Sequence, residues 1–339
     1  MKSSTHGISV VIPMHNCEAT IYDTLDSLVS SDFSPDEVIC VDDASTDETV
    51  AVVKRFADHC SIPVNIVELS SKIGPAGARN HGAKESRYSH ILFVDSDVVL
   101  HVDTIYSLMK RSQTLRYRGA VVSLYDEVNL AGGWLSDFTT LYSAFNYSQD
   151  AENGSSHFSS QCAVVSTHDF FHVGGFDESY PRATVEDIDF GLRLHAASVP
   201  VVAESKARVS HNSAYDFRRF IRNYWNKCFD FSNLFISRGK EFRENRGYGG
   251  RHAQFSMAAI AFFLIAFSAT TITSHAWWAV MGTCLFLSIH WRRFILCTKY
   301  HFGARRVLPF CGLKILVLGI CGLASITAVI SKRLGLNPI

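Results

Sequence analysis

The chain has 339 residues, enough for one large domain or two small ones with a full core. Lys plus Arg and Asp plus Glu are both 32, so no net charge points to a nucleic acid partner, and that class is set aside. Hydrophobic residues make up 47% with a mean hydropathy of +0.09, an excess that gathers at the C-terminal end.

The N-terminus is polar and leads straight into a strand, so no signal peptide is expected. Ile8 to Ile12 reads as a buried strand stopped by Pro13, and Ile21, Leu25, Leu28 and Val29 follow at helical spacing. Val38 to Val41 is a second strand ending in Asp42-Asp43. Ser45-Thr46-Asp47-Glu48 matches a capping box, with Ser45 as the cap of the helix that carries Val50, Val53 and Ala57. Val64 to Leu69 is a third strand, and Gly74 to Asn80 opens a further helix. Ile91-Leu92-Phe93-Val94 is a fourth strand running directly into Asp95-Ser96-Asp97. Four alternations of strand and helix predict an α/β fold with a parallel sheet and right-handed crossovers.

Beyond Ala120 to Leu124 the pattern loosens. Gly132-Gly133 and Asn153 to Ser156 read as loops around the aromatic segment Trp134 to Tyr147. Cys162 to Val165 is placed back in the sheet, Asp169 to Val173 is a helical turn, and Val185 begins a helix. Val199 to Ala203 is another strand, His211 lies past a further short extended stretch, and Asp216 to Arg238 is helical. From Phe255 to Ser274 no charge occurs over about 20 residues, enough to span a bilayer. Ala276 to His290 opens with Trp277-Trp278, and Pro309 to Ile330 is a third apolar stretch. Arg292, Arg293, Lys299, Arg305 and Arg306 lie between the last two, which predicts a cytoplasmic loop and a Phe255 to His290 hairpin. The nine Cys are dispersed with no C-x-x-C pair, which fits reduced thiols in the cytosol.

Three carboxylate groups, together with Arg79 and His211, carry chemistry. Asp95 and Asp97 sit where a strand leaves the sheet, the edge at which open α/β sheets bind ligands. Carboxylates that close repel unless a cation lies between them, and oxygen ligation suits Mg²⁺ or Mn²⁺ shared with phosphates. Asp42 and Asp43 at another strand end can accept from a base or a ribose, whereas Asp47 reads as a first-turn acid. Glu186-Asp187, after a Gly-Gly-Phe-Asp loop, is a carboxylate pair able to present a general base into a cleft or to compensate a helix dipole. Arg79 at a Gly-rich helix start can meet a phosphate, and His211 can add a nitrogen ligand to a metal.

The order of these pieces resembles family 2 glycosyltransferases of the GT-A fold, over about Ile8 to His211: Pro13, then Val-Asp-Asp-Ala-Ser-Thr-Asp, Gly-Pro-Ala-Gly-Ala-Arg-Asn, Val-Asp-Ser-Asp, Gly-Gly-Phe-Asp-Glu and Glu-Asp-Ile-Asp-Phe. The resemblance implies inverting, metal-dependent transfer from a nucleoside diphosphate sugar, a UDP-sugar, to a lipid-linked or other saccharide acceptor. It implies that Pro13, Asn16, Glu18 and Asp42 or Asp43 hold the nucleoside. Arg79 would face the donor, Asp95 would meet ribose or sugar, and Asp97 with His211 would ligate the metal. Asp187 would be the base, with Glu186 beside it at the acceptor. The processive Gln-x-x-Arg-Trp motif is replaced here by Arg218 to Trp225, which points to a non-processive enzyme. The expected layout is a GT-A catalytic domain over 1–214, a basic and aromatic membrane-proximal segment over 215–252, and two to three spans over 253–339. This places the chain in the inner, cytoplasmic membrane with its catalytic domain in the cytosol. A polyprenyl-phosphate glycosyltransferase and a non-catalytic nucleotide-sugar-binding membrane subunit are the alternative readings.

Overall fold

A computed structural model describes residues 7–152, 157–239 and 276–335. The chain divides into two compact units, one built on residues 1–215 and the other containing 216–236 and 248–338.

The first unit is built on an eight-stranded sheet of order β3-β2-β1-β4-β7-β6-β8-β5. Its strands are β1 (Ile8–Met14), β2 (Glu37–Asp42), β3 (Val64–Glu68), β4 (His90–Val94), β5 (Val98–Leu100), β6 (Ala120–Tyr125), β7 (Cys162–Ser166) and β8 (Val201–His211). Interleaved with them are α1 (Ile21–Val29), α2 (Thr49–Ala57), α3 (Gly74–Glu85), α4 (Thr104–Thr114), α5 (Trp134–Glu152), α6 (Thr167–His172) and α7 (Glu186–Ala196). β1 lies between β2 and β4 and pairs parallel with both, so their carboxyl ends form the switch point of the sheet. β7 runs antiparallel to β4 and β6, and β5 antiparallel to β8, so the sheet is mixed and mainly parallel, as the resemblance implies.

Strand residues alternate between two cores. Val10, Ile12, Val38, Cys40, Leu92 and Val94 face one, with Leu25 and Leu28 of α1. Val11, Ile39, Val41, Ile91 and Phe93 face the other, with Phe170, Phe176 and Phe190. The second face accepts α3 at close range because that helix presents Ala76, Ala78, Gly82 and Ala83. A Cβ at Gly82 would collide with Val11 and come within 3.0 Å of Val41 Cγ2.

Pro13 does not stop β1. It pairs with Val41 beyond the last β4 partner, Phe93, so no ladder bond on that side is lost. Ser45 does not cap α2, whose first residue is Thr49 and whose N-cap is Glu48 without a side-chain bond. Ser45 Oγ instead accepts from Asn16 N at 2.9 Å, and Asp47 Oδ1 accepts from Thr49 N at 3.1 Å. The aromatic stretch from Trp134 is helix α5, and the two extended stretches before His211 are one strand, β8.

The second unit contains α8 (Phe217–Ser237), α9 (Ala276–His290), α10 (Arg292–Phe302) and α11 (Ala304–Arg333). α11 is long and apolar enough to cross a membrane, with a mean hydropathy of 2.3 over its best window. The expected span from Phe255 to Ser274 lies outside the described residues. The basic stretch expected as a loop is largely helix α10. Lys314 of α11 places its Nζ 4.4 Å from the Phe294 ring centroid and 4.8 Å from that of Trp291. Cys228 and Cys321 are bonded, unlike the reduced set expected, while Cys17, Cys40, Cys60, Cys162, Cys297 and Cys311 are free thiols.

Candidate functional site

The carboxyl ends of β1, β2 and β4 gather the predicted residues from the first half of the chain. Asp42 ends β2 and Asp43 follows it, both buried. Asp43 Oδ1 accepts from Ile73 N at 2.6 Å and Oδ2 from Gly74 N at 2.9 Å, so this carboxylate closes the start of α3. Asp42 Oδ2 accepts from Ser45 N at 3.1 Å, while its buried Oδ1 has no hydrogen-bond partner. Asn16 and Glu18 knit the loop after β1 to the loop after β2. Asn16 adopts a left-handed φ of 51° and accepts from Thr46 N at 2.8 Å, and Glu18 Oε2 accepts from Glu48 N at 2.8 Å. Glu18 N in turn donates to Asp47 Oδ2 at 3.2 Å. Burial would raise the Asp47 carboxyl, but hydrogen bonds from Thr49 and Glu18 hold it below the usual carboxylate range.

Asp95 and Asp97 lie on the turn between β4 and β5. Asp95 N donates to Gln161 O at 3.0 Å, continuing the β4–β7 ladder by one residue. β5 then pairs antiparallel with the end of β8, Val98 opposite His211, and Asn212 N donates to Asp97 O at 2.8 Å. This pairing brings His211 Nε2 to 3.3 Å from Asp97 Oδ2. In an octahedral site with bonds of about 2.1 Å, adjacent ligands stand about 3 Å apart, so the two atoms are spaced to share one hard cation. Among the described residues no third His, Cys, Asp or Glu joins them, so further ligands for an ion held here would have to be substrate oxygens or water.

Residues not anticipated from the sequence support this pair. Asn129, buried, has its Nδ2 3.5 Å from His211 Nδ1 and donates to Thr140 Oγ1 at 2.9 Å. Its Oδ1 accepts from Ala131 N at 2.9 Å. The Tyr125 ring lies 5.5 Å from that of His211. Burial, with Asp95 and Asp97 close by, pushes the Tyr125 phenol well above its ordinary pKa, so it remains neutral.

Arg79 and Glu186 meet across 107 residues of sequence. Arg79 Nη1 donates to Glu186 Oε1 at 2.9 Å and Nη2 to Asp95 Oδ1 at 2.7 Å. Only 3% of the Arg79 side chain is exposed. Burial pulls its pKa down, but Asp95 and Glu186 outweigh that and hold it above the ordinary value. Glu186 Oε2 accepts from Thr184 N at 2.8 Å. Asp187 is half-buried in the first turn of α7, where its Oδ1 accepts from Ile188 N at 2.7 Å.

A buried guanidinium bridging two carboxylates, a carboxylate–imidazole pair at a sheet edge and a carboxylate pair on a helix start can bind a metal diphosphate and take a proton from a hydroxyl. Comparison with known proteins agrees in kind. Residues 9–167 match the family described as glycosyl transferase family 2. A poly(ribitol-phosphate) beta-N-acetylglucosaminyltransferase, TarS, of Staphylococcus aureus is 36% identical over 99 residues, 29% of this chain and 17% of the relative. A UDP-Glc:alpha-D-GlcNAc-diphosphoundecaprenol beta-1,3-glucosyltransferase, WfaP, of Escherichia coli is 36% identical over 90 residues, 26% of this chain and 35% of the relative. The chain thus spans a minor part of each of these relatives. Among solved structures, a mannosyltransferase from Pyrobaculum calidifontis in complex with GDP-Man and Mn²⁺ superimposes with a TM-score of 0.62 at 17% identity. The match covers 96% of this chain and 87% of that one, and it establishes the GT-A fold.

Proposed function

Residues 9–167 belong to glycosyl transferase family 2, and on that premise we propose that the protein is an inverting, non-processive glycosyltransferase. It moves a sugar from a UDP-sugar to a saccharide acceptor carried on a membrane lipid, at the cytoplasmic face of the inner membrane. The observation that carries this reading is the Asp97–His211 pair: His211 Nε2, at the end of β8, lies 3.3 Å from Asp97 Oδ2 on the turn that also carries Asp95. Asp97 and His211 would hold a divalent cation, Mg²⁺ or Mn²⁺, which would supply positive charge to the leaving diphosphate. The mannosyltransferase of similar fold holds GDP-Man and Mn²⁺, which supports a metal–nucleotide donor.

The chain's own residues divide the rest of the work. Pro13, Asn16, Glu18 and the Asp42–Asp43 end of β2 hold the nucleoside, and Asp95 meets the ribose or the sugar. Tyr125 and Asn129 keep His211 in place. Glu186 is committed to Arg79 and to Thr184 N, so proton removal from the acceptor hydroxyl falls to Asp187 beside it. One in-line displacement then inverts the anomeric centre. The lipid-linked acceptor rests on three observations. WfaP is named for a diphosphoundecaprenol-linked substrate. α11 is long enough to cross a bilayer. α8 exposes Phe217, Arg218, Arg219 and Arg222, residues suited to anionic head groups.

Purified full-length protein in detergent, given a panel of nucleotide sugars with Mn²⁺ and a polyprenyl-diphosphate saccharide, tests the reading. Release of nucleoside diphosphate with sugar on the lipid is expected, together with its loss in Asp187→Asn. No release from any donor, or an Asp187→Asn variant as active as the wild type, overturns it.

A further inference from the structure

α3 does more than cover the sheet. Two adjacent residues on it, Arg79 and Asn80, reach two segments about 100 residues downstream that precede and carry Asp187. Arg79 spans Asp95 at the end of β4 and Glu186 at the start of α7, and its guanidinium carbon lies 5.6 Å from the Phe176 ring centroid. Asn80 clamps the turn before α7. Its Oδ1 accepts from Phe176 N, and its Nδ2 donates to Phe176 O and to Glu178 Oε1, all at 2.8 Å. Gly175 (φ +69°) makes room for that clamp, since a Cβ there would sit 2.7 Å from Asn80 Oδ1. The guanidinium is a planar fork with both terminal nitrogens engaged and 3% of the side chain exposed, so it faces carboxylates and not solvent.

Resting on the reading of Asp187 as the base, we infer that Arg79 and Asn80 form a clasp of positioning residues that fixes the acceptor base relative to the donor edge, and that Arg79 acts through Glu186 and not on the diphosphate. Glu186 and Asp187 are consecutive in the first turn of α7, so holding one carboxylate fixes the backbone that carries the other. Asp95 stands two residues before Asp97 on the donor side. One cation therefore ties the two walls together by direct bonds, where flexible loops would leave the spacing loose by an ångström or more. A displacement of that size costs about 10²-fold in rate.

Two variants of the full-length protein test this. Glu186→Gln keeps a side chain of equal length but faces one of its two donors, Arg79 Nη1 or Thr184 N, with an amide. Arg79→Lys keeps the charge and loses the fork. For Glu186→Gln the expected result is a donor KM within about 3-fold of wild type and a transfer kcat lower by about 10- to 100-fold, at an unfolding temperature that still gives a folded enzyme under assay conditions. Arg79→Lys should lower kcat by at least as much, and the double variant should lose no more than Arg79→Lys alone, because both act through one contact. Wild-type kcat in either single variant overturns the clasp. So does a rise in donor KM at constant kcat in Arg79→Lys, which would mark a donor contact, or losses that multiply in the double variant. Asp187→Asn, run alongside, separates this from the reading beneath it. If Asp187→Asn retains transfer, the base assignment fails; if it is inactive while Glu186→Gln is normal, only the clasp fails.

Discussion

Asp43 and Asp42 look interchangeable in the sequence, yet the structure gives them opposite energetic roles. Asp43 uses both oxygens on backbone donors, Ile73 N at 2.6 Å and Gly74 N at 2.9 Å, and is 3% exposed. Asp43→Asn replaces one of those oxygens with an NH₂ that faces an N–H. A hydrogen bond to a charged acceptor contributes about 1.5–3 kcal/mol, and the stranded donor costs about 1–3 kcal/mol more. With partial relaxation the loss is about 3 kcal/mol. A domain of this size shifts by about 2–4 °C per kcal/mol, so Tm should fall by about 6–12 °C. Asp42 behaves differently because its Oδ1 is buried without a partner and only Oδ2 accepts, from Ser45 N. Asp42→Asn can keep its oxygen on Ser45 and turn the NH₂ to the unpartnered position, removing a buried charge in exchange for an unpaired amide. Its stability should stay within about 1 kcal/mol of wild type. Thermal unfolding of the full-length protein followed by circular dichroism gives both numbers, and titration calorimetry with UDP-sugar gives donor affinity. A Tm for Asp43→Asn within 1–2 °C of wild type would refute the capping role, as would an equal loss in Asp42→Asn.

Acid stability provides a second check. Burial raises the Asp169 carboxyl, but bonds from Arg118 and Gly119 N outweigh that and hold it below its ordinary value. A depressed folded pKa means this contribution is complete above about pH 4 and is lost as pH falls through the folded value. Asp169→Asn should therefore flatten the loss of stability below pH 4 in denaturant melts, and an unchanged slope would count against the pairing. Reversing charge at Arg218, Arg219 and Arg222 should raise the KM for a lipid-linked acceptor several-fold and leave donor hydrolysis alone; equal rates with a short water-soluble acceptor would remove the membrane-lipid acceptor from the account.

The strands that carry Asp42, Asp95 and the Cys162 return were legible because each is a short apolar run with a sharp polar stop. Helices α1, α3 and α7 were legible from spacing and from their starts. What periodicity could not convey was strand direction. β7 runs against β4, and nothing local in Cys162 to Ser166 encodes that reversal. β5 is only three residues long, Val98-Val99-Leu100, too short for periodicity to set it apart from the turn at Asp97. Missing β5 hid the reason His211 reaches Asp97, which is a strand pairing across more than 100 residues. The Ser45 capping box does not form for a related reason. Its donors and acceptors are taken by Asn16 and Glu18, residues of a different loop that the sheet brings alongside. Arg79 shows the same limit in the site. Its charge and its place at a helix start are visible in the sequence, but its burial between Asp95 and Glu186 depends on where α7 docks.

Cation-dependent sugar transfer at the Asp97–His211 edge underlies every catalytic role assigned above. Nucleoside diphosphate release by wild type and by Asp97→Asn, measured across a Mn²⁺ titration and in EDTA, tests it directly. Wild type should show saturable dependence on the cation and no turnover in EDTA, and Asp97→Asn a loss of about 10²-fold or more at unchanged Tm. Full turnover in EDTA, or an Asp97→Asn variant with wild-type rate and cation dependence, would contradict it.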